Sequence, residues 1–234
     1  MSFVQATDLT RTFDLSDPFI VRAISRTPKR ILTAVDKVSF SIEKGTTYAL
    51  VGESGSGKTS LIMLIAGLEK ATSGQIYFQN QEITKLSEDE VSKIRRKNIG
   101  IVFQSFYLIP NYTAVENVAL TLELNKFKDP YNQAKELLER FGLKHRFNNL
   151  PSQLSGGEQQ RVAIARSIAM KPELILADEP TGNLDPDTAE SVMALMRELD
   201  FQSTALVVVT HDPQVAERMD RQYRLSGGKL SLSA

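Results

Sequence analysis

Eight consecutive residues determine the fold of this 234-residue chain: Gly52-Glu53-Ser54-Gly55-Ser56-Gly57-Lys58-Thr59. They fit the pattern G-x-x-x-x-G-K-[S/T] at every position. Glycines in this order let the backbone curl so that several N–H groups point at phosphate oxygens, and a following helix adds the positive end of its dipole. A strand-like stretch, Tyr48 to Val51, precedes the loop, and a helical pattern, Lys58 to Ala66, follows it. The sequence therefore predicts a phosphate-binding loop between a buried strand and a helix.

The polar members of this loop have separate expected tasks. Lys58 is expected to reach the β- and γ-phosphates of a nucleotide, and the hydroxyl of Thr59 to ligate Mg²⁺. The nucleotide contacts predicted here are Gly52, Ser54, Gly55, Ser56, Gly57, Lys58, Thr59 and Ser60.

A pair of acidic residues follows a second buried strand. The apolar run Leu174 to Ala177 ends in Asp178 and Glu179. In α/β folds, ligands bind beyond the carboxyl ends of the strands, which is where these carboxylates are expected to lie. We expect Asp178 to take part in the Mg²⁺ shell and Glu179 to orient or deprotonate the attacking water. An acidic cap on a strand exit is the simpler alternative, which the nearby phosphate loop disfavours.

Strand-like and helical patterns alternate through most of the chain. Two further strand-like runs are Ile99–Phe103 and Ala205–Val209, and such near-continuous apolar runs indicate strands buried on both faces of a parallel sheet. The stretch from Ser105 to about Gln153 contains helical segments without a convincing strand, so it predicts a helical insertion. The region from Val4 to Glu43 is expected to form short strands in a small β-layer.

The overall composition limits the class of protein. With 41% hydrophobic and 24% charged residues, the chain resembles an ordinary globular protein. Twenty-eight basic residues balance 28 acidic ones, which argues against a protein that binds nucleic acid by neutralising its phosphates. There is no cysteine, which excludes thiol chemistry and disulfides. No secretion signal is visible at Met1–Gln5, and the longest apolar run, Leu61–Ala66, is too short to cross a bilayer, so we expect any membrane span to come from another chain.

A second glycine motif precedes a helical pattern at Leu154-Ser155-Gly156-Gly157-Glu158-Gln159-Gln160-Arg161. Ser155 and Glu158 have the spacing of a capping box, and the glycines allow a ligand to approach the start of the helix. The tripeptide is repeated at Ser226–Gly228, but Lys229 to Leu232 follows with no helical pattern. That second copy is expected to be a hairpin turn.

Together these residues resemble the ATPase subunits of ABC transporters over nearly the whole chain. The resemblance implies a RecA-like P-loop NTPase core in α/β class, with an N-terminal antiparallel β-subdomain and an inserted helical subdomain. Residues 1–104 and 159–234 would form the core and β-subdomain of a single domain, and residues 105–158 the helical subdomain. Leu154, Ser155, Gly156, Gly157 and Glu158 are similar to the family's signature motif. In a head-to-tail dimer, this motif would contact ATP bound to the partner copy.

The resemblance assigns roles to further residues. Gln104 is similar to the glutamine of the Q-loop, which contacts the nucleotide and Mg²⁺, and His211 to the switch histidine that senses the γ-phosphate. Asn183, Leu184 and Asp185 resemble the D-loop. Phe13 is the best match to the aromatic residue that stacks on adenine, although the following loop, Asp14 to Arg30, is longer than usual. The catalytic residues expected on this basis are Lys58, Glu179 and His211.

The same resemblance predicts the partners and location of the chain. Glu179–Asp185 and Phe103–Val118 are most similar to the lipoprotein-release and macrolide-export branch. We therefore expect a peripheral ATPase on the cytoplasmic side of the membrane that drives separate permease subunits, with no nucleic-acid partner. The apolar, aromatic segment Ser105–Leu124 resembles the face on which permease coupling helices dock, although some of its side chains are expected to pack internally.

Three alternatives remain at this stage. The pattern from Phe19 to Asp36 is similar to the N-terminal region of peptide-importer ATPases. The basic residues of this loop, Arg22, Arg26, Lys29 and Arg30, would contact lipid headgroups or a permease, or would simply be solvated. A soluble ABC ATPase without a permease is a second alternative, and a kinase or GTPase is a third that leaves Leu154–Arg161 unexplained.

Overall fold

The computed structural model describes residues 2–16, 30–197 and 204–233. Its strands, in chain order, are β1 (Ser2–Asp14), β2 (Ile31–Glu43), β3 (Thr47–Val51), β4 (Ser73–Phe78), β5 (Gln81–Glu82), β6 (Ile99–Phe103), β7 (Leu174–Asp178), β8 (Ala205–Val209), β9 (Arg221–Ser226) and β10 (Lys229–Ser233). Its α-helices are α1 (Lys58–Ile65), α2 (Glu88–Asn98), α3 (Ala114–Leu124), α4 (Pro130–Arg140), α5 (Gly156–Ile168), α6 (Pro186–Arg197) and α7 (Pro213–Glu217).

Six strands form the central sheet in the order β10-β9-β3-β8-β7-β6. The five strands from β9 to β6 are parallel, and β10 pairs antiparallel with β9. Both faces of the sheet are covered: Leu174 and Leu176 pack into one hydrophobic cluster, while Ile175 and Ala177 of the same strand pack into the other. Because successive side chains of a strand point to opposite faces, a strand buried on both sides has no polar positions. This explains the uninterrupted apolar runs in the sequence.

A four-stranded antiparallel sheet, in the order β2-β1-β4-β5, covers one face of the core. Its two long strands pair from Ser2 with Glu43 to Asp14 with Ile31, with several register shifts along the way. These strands have 13 residues each, so the expectation of short strands in this region was wrong in length. The β-layer is as predicted, because its inward side chains, such as Val4 and Leu9, are fully buried against α1 and the sheet.

Helices α3, α4 and the start of α5 pack on one another beside the other face of the core. Two of these helices begin with a complete capping box, formed by Thr113 with Glu116 and by Ser155 with Glu158. In each box the hydroxyl of the Ser or Thr accepts from the backbone N–H of the glutamate three residues later. The carboxylate of that glutamate accepts from the backbone N–H of the Ser or Thr, so two otherwise unpaired donors are satisfied. The fold class predicted from the sequence is therefore confirmed: an α/β core, an antiparallel β-subdomain and a helical part.

The turn at Ser226–Gly228 and several short elements can be compared with the sequence predictions. The second Ser-Gly-Gly tripeptide is a hairpin turn as expected, because Ser226 pairs with Lys229 while Gly227 and Gly228 have φ of 53° and 78°. Strands β4, β5 and β9 and helices α2 and α7 were not anticipated. Within the three described ranges, no helix combines the length and the apolar character needed to cross a membrane.

Candidate functional site

The topology brings three chain segments to one edge of the central sheet. Strands β7, β8 and β3 are parallel neighbours, so their carboxyl ends lie side by side. The phosphate loop follows β3, Asp178 ends β7, and His211 lies just beyond β8. This is the position at which parallel α/β sheets bind ligands.

The phosphate loop depends on glycine at its junction with α1. Gly57 has φ of 103°, a conformation that residues with a Cβ rarely adopt. A Cβ at this position would also lie 2.0 Å from the carbonyl oxygen of Ala34 in β2. Since no side chain caps the start of α1, its first N–H groups remain available to bind an anion.

Lys58 is held at the mouth of this loop. Its ammonium Nζ donates hydrogen bonds to the carbonyl oxygens of Gly52, at 2.9 Å, and Glu53, at 2.8 Å. The side chain is buried, with only 7% of the residue exposed. A buried ammonium paired only with neutral carbonyls favours an anionic partner, because its charge has no opposite charge bound to it.

Asp178 joins the acidic strand end to the phosphate loop. Its Oδ2 accepts a hydrogen bond of 2.9 Å from the hydroxyl of Thr59, which lies 119 residues away in the sequence. Burial raises the pKa of Asp178 above its ordinary value, and the charge of Glu179 acts in the same direction, while Thr59 and Lys58 oppose it. A cation bound beside the carboxylate would stabilise its ionised form.

The donors around this point suit Mg²⁺. Thr59, Asp178 and Gln104 offer hydroxyl, carboxylate and amide oxygens, which are the hard ligands this ion prefers. Within the described residues, no group of three or more His, Cys, Asp and Glu side chains forms a metal-binding cluster. A metal here would therefore need further oxygens, and Mg²⁺ commonly takes these from substrate phosphates and water.

Glu179 is placed by an unusual backbone conformation. Its φ is 46°, in the left-handed region, and its N–H donates to the carbonyl of Val209 in β8 at 3.0 Å. Such a conformation costs about 1–3 kcal/mol in a residue other than glycine and tends to occur at functional sites. The carboxylate Oε1 lies 3.4 Å from Nδ1 of His211, whose side chain is largely exposed. Glu179 and His211, whose roles were predicted separately, are thus in contact.

Gln104 and Asn183 form a reciprocal pair that the sequence did not reveal. Nε2 of Gln104 donates to Oδ1 of Asn183 at 3.2 Å, and Nδ2 of Asn183 donates to the carbonyl of Gln104 at 3.0 Å. Because the amide nitrogen of Gln104 is engaged with Asn183, its oxygen remains available as an acceptor or metal ligand. Asn183 therefore determines that the side-chain oxygen of Gln104, and not its nitrogen, is the atom that can contact a nucleotide or metal.

The second glycine motif lies beside Asn183–Asp185. A Cβ on Gly156 would be 3.6 Å from the side chain of Leu184, and one on Gly157 would be 2.2 Å from the methyl group of Thr188. A side chain at position 157 would therefore force Thr188 to move, while Ser155 is exposed at the helix start.

Two buried polar side chains of this motif, Glu158 and Gln160, bind it to neighbouring segments of the chain. Glu158 accepts from the backbone N–H of Ser155 at 2.7 Å and from Nε of Arg146 at 2.8 Å. Burial favours the neutral form of Glu158, but these hydrogen bonds outweigh it, so its pKa lies below the ordinary value. The fully buried Gln160 donates to the carbonyl of Pro180 at 2.6 Å, which ties α5 to the turn after Glu179. The only signal for Gln160 in the sequence was its place in the octamer.

The structure places the remaining predicted residues as follows. Phe13 lies near the end of β1, opposite Leu32, and one face of its ring carries the guanidinium of Arg11 at 4.5 Å. Its role as an adenine platform stays a prediction. His145 is exposed, with Nε2 3.9 Å from Oε1 of Glu158. Three basic residues of the long loop, Arg22, Arg26 and Lys29, lie outside the described residues, and only Arg30 lies within them.

Comparisons with known proteins agree with this geometry. The family model described as "ABC transporter" matches residues 35–182. A solved structure described as the dimeric post-hydrolysis state of the ATP-binding cassette MJ0796, bound to ADP and Pi, shares 38% sequence identity with this chain, with a TM-score of 0.86; the match covers 97% of this chain and 96% of that one. A second structure, described as the dimeric form of MJ0796, a bacterial ABC transporter cassette, shows the same identity and coverage with a TM-score of 0.84.

Proposed function

This chain belongs to the ABC transporter family as an ATP-binding ATPase cassette, and from that premise we propose that it drives a separate membrane permease. The observation that carries the ATPase part of this proposal is the hydrogen bond between Thr59 and Asp178, since it joins the phosphate loop to the acidic strand end. The permease part is supported by the family and by the resemblance to the ATPase subunits of its transporters. Glu179 and His211 lie in contact at the same edge of the sheet. The site therefore combines groups that bind a triphosphate with a candidate base.

In the proposed mechanism each side chain has one task. The N–H groups at the start of α1 and the ammonium of Lys58 bind the phosphates, and Mg²⁺, when bound, would neutralise charge that develops on them. Thr59, Asp178 and Gln104 would hold that ion. Glu179 accepts a proton from the attacking water or orients it, and loss of such a base lowers the rate by about 10²–10⁴-fold. His211 holds the carboxylate of Glu179 in place.

We further propose that two copies complete each site. In this arrangement the exposed Ser155 and the glycines at the start of α5 of one copy contact the triphosphate held by the phosphate loop of the other. The capping box engages the N–H groups of Ser155 and Glu158 but not those of Gly156 and Gly157, and free N–H groups at the start of a helix suit an anion, which supports the proposal. The two solved relatives are each described as dimeric. We also propose that residues 105–158 form the helical subdomain and that residues 1–104 and 159–234 form the core with its β-subdomain.

The permease is proposed to dock on the helical side. Tyr107 and Tyr112 of the aromatic segment are 65% and 39% exposed, whereas Leu108 packs against the core and Phe106 is half-buried, with its ring 3.9 Å from where a Cβ on Gly156 would lie. The segment thus divides into an inner and an outer set of side chains, and the outer set supports a docking role. The proposed location is the cytoplasmic side of the membrane, and the proposed direction, from the resemblance to the lipoprotein-release and macrolide-export branch, is export or envelope-directed transport.

Three variants test the ATPase and dimer proposals. Glu179→Gln should bind Mg-ATP and accumulate as a dimer on size exclusion while its hydrolysis rate falls by about 10²–10⁴-fold. Ser155→Arg should keep nucleotide affinity in the monomer but abolish that dimer. Lys58→Ala should lose most affinity for a fluorescent ATP analogue. A Glu179→Gln variant with the normal rate would remove Glu179 from the mechanism.

A further inference from the structure

The start of α5, which is proposed to contact the triphosphate bound to the partner copy, carries an acidic side chain of its own. Glu158 lies in the first turn of this helix and is 9% exposed. Its Oε2 accepts a hydrogen bond of 2.7 Å from the N–H of Ser155. The carboxylate is therefore close to the N–H groups of Gly156 and Gly157, where its charge repels a second anion.

Glu158 is ionised at neutral pH. Burial favours its neutral form, but the hydrogen bonds from Ser155 and Arg146 outweigh burial, so the pKa of Glu158 lies below its ordinary value. A protonated carboxyl would not repel a phosphate, whereas the ionised group carries a full negative charge. The proposed contact with the triphosphate therefore requires a group that offsets this charge.

The positive end of the helix is too weak to offset it. The backbone dipoles of an α-helix amount to about +0.5 of an elementary charge at its start, so an ionised glutamate in the first turn leaves about −0.5 there. This arrangement stabilises α5 itself, since negative side chains are favourable at the start of a helix. It disfavours an external phosphate, because the positive end of the helix has already been neutralised.

Arg146 supplies the missing positive charge. Its Nε donates to Oε1 of Glu158 at 2.8 Å, from the short 3-10 turn Lys144–Arg146, 12 residues before Glu158 in the chain. Arginine stays protonated at physiological pH, so the start of α5 returns to about +0.5 when this charge is included. Nε2 of His145 lies 3.9 Å from the same oxygen, which is beyond hydrogen-bonding distance, so Arg146 is the cation bound to Glu158.

Two other helices show that a capping box by itself does not need an arginine. Helices α2 and α3 begin with the same box, formed by Ser87 with Glu90 and by Thr113 with Glu116. Neither glutamate has an ion-pair partner among the described residues, and the hydrogen bonds of the box still lower the pKa of both. Of these three helix starts, the arginine is thus present at the one where an anion is proposed to bind.

We propose that Arg146 is a positioning residue of the two-copy site, which neutralises Glu158 so that the start of α5 accepts the triphosphate bound to the partner copy. The inference rests on the proposed function, because it explains how a motif with an acidic residue can face an anion. Arg146 acts through Glu158 and not on the reacting atoms. The same hydrogen bond holds the carboxylate in place against Ser155, so the charge balance and the geometry of the helix start depend on one contact.

The test measures the Mg-ATP-dependent dimer of the Glu179→Gln protein by analytical ultracentrifugation at low salt. Like charges about 10 Å apart at a protein surface change an equilibrium constant by about tenfold, and a symmetric dimer contains two such sites, so adding Arg146→Gln should weaken the dimer by about 100-fold. Arg146→Lys keeps the charge but loses the planar guanidinium, so it should weaken the dimer by less than about fivefold. The affinity of single copies for a fluorescent ATP analogue should not change, because Arg146 is not part of the phosphate loop of its own copy.

A second substitution separates the charge from the structure. Glu158→Gln removes the charge and keeps a side chain that can close a capping box. Combined with Arg146→Gln, it should restore the dimer to within about threefold of the Glu179→Gln reference, because the repulsion is gone. Raising NaCl from about 0.02 M to about 0.3 M should also narrow the gap between Arg146→Gln and the reference, since salt screens the repulsion. A purely structural loss would respond to neither change.

Lys144→Gln is the matched control. It removes one positive charge from the same turn, but Lys144 pairs with Glu139 and not with Glu158. The dimer of this control should stay within about twofold of the reference, because an exposed ion pair contributes little.

Each outcome decides between these alternatives. An unchanged dimer in Arg146→Gln, a double variant as weak as Arg146→Gln alone, or an equal loss in Lys144→Gln would overturn the inference. If Arg146→Gln does not fold, Glu158→Gln alone decides: a dimer at least as tight as the reference supports the inference, and a weaker one overturns it. If the Glu179→Gln protein itself forms no dimer in Mg-ATP, the two-copy site is wrong and the inference fails with it.

Discussion

Asn117 in α3 holds together the turn that carries the outer aromatic residues. It is 1% exposed, and its Oδ1 accepts from the N–H of Ile109 at 2.8 Å. Its Nδ2 faces the carbonyls of Ile109, Tyr112 and Thr113 at 3.2, 2.9 and 3.1 Å. Asn117→Ala would therefore release the turn from the helix without touching the nucleotide site.

The cost follows from these contacts. The amide has two N–H hydrogens for three carbonyls, so the loss amounts to about three hydrogen bonds, each contributing about 0.5–1.5 kcal/mol. Replacing asparagine by alanine inside a helix returns about 0.6 kcal/mol. We expect a net loss of about 2 kcal/mol in the free energy of unfolding, which lowers the melting temperature by about 4–8 °C in a chain of this size.

Thermal unfolding followed by circular dichroism measures the loss, and hydrogen exchange should show faster exchange within residues 105–113. Asn125→Ala, at the carboxyl-terminal cap of the same helix, is the control, because Asn125 makes one such bond, to the carbonyl of Thr121 at 2.8 Å. Asn117→Asp should be at least as harmful as alanine at neutral pH, since a carboxylate would face three carbonyls. If Asn117→Ala melts within 1 °C of the unaltered protein, the hydrogen bonds are not what holds this turn.

Gly57→Ala places a Cβ 2.0 Å from the carbonyl oxygen of Ala34, in a residue whose φ is 103°. The variant should therefore lose most of its affinity for a fluorescent ATP analogue. Unchanged affinity would show that the loop can shift to accept the Cβ. Burial raises the pKa of Asp178, so the folded protein binds a proton at this carboxyl more tightly than the unfolded chain does. The resulting contribution to the free energy of unfolding is present at low pH and is lost as the pH rises through the folded-state pKa. Asp178→Asn should therefore melt higher than the unaltered protein at neutral pH, and this advantage should vanish in acid; a constant difference in melting scans across pH would contradict it. Asn183→Ala frees the amide of Gln104, so ATP affinity should stay unchanged without Mg²⁺ and weaken about fivefold with it, from a loss of about 1 kcal/mol; equal titrations with and without Mg²⁺ would argue against this positioning role.

Much of the candidate site was visible in the sequence because its signals are local. The phosphate loop needs glycine at fixed positions for backbone reasons, and Gly57 shows both reasons in the structure. The strands of the parallel sheet were visible because burial on both faces removes polar residues, as in the run from Leu174 to Ala177 of β7. The capping box of Ser155 and Glu158 was visible because its partners lie three residues apart.

Other features required the tertiary structure, since they join residues that are far apart in the chain. The order of strands decides that Thr59 contacts Asp178, and no spacing in the sequence encodes that order. The same holds for Gln104 with Asn183, 79 residues apart, and for Arg166 with the carbonyl of Phe106, 60 residues apart. Motifs follow from backbone geometry and periodicity over a few residues, whereas contacts between motifs depend on how the whole sheet and its helices pack.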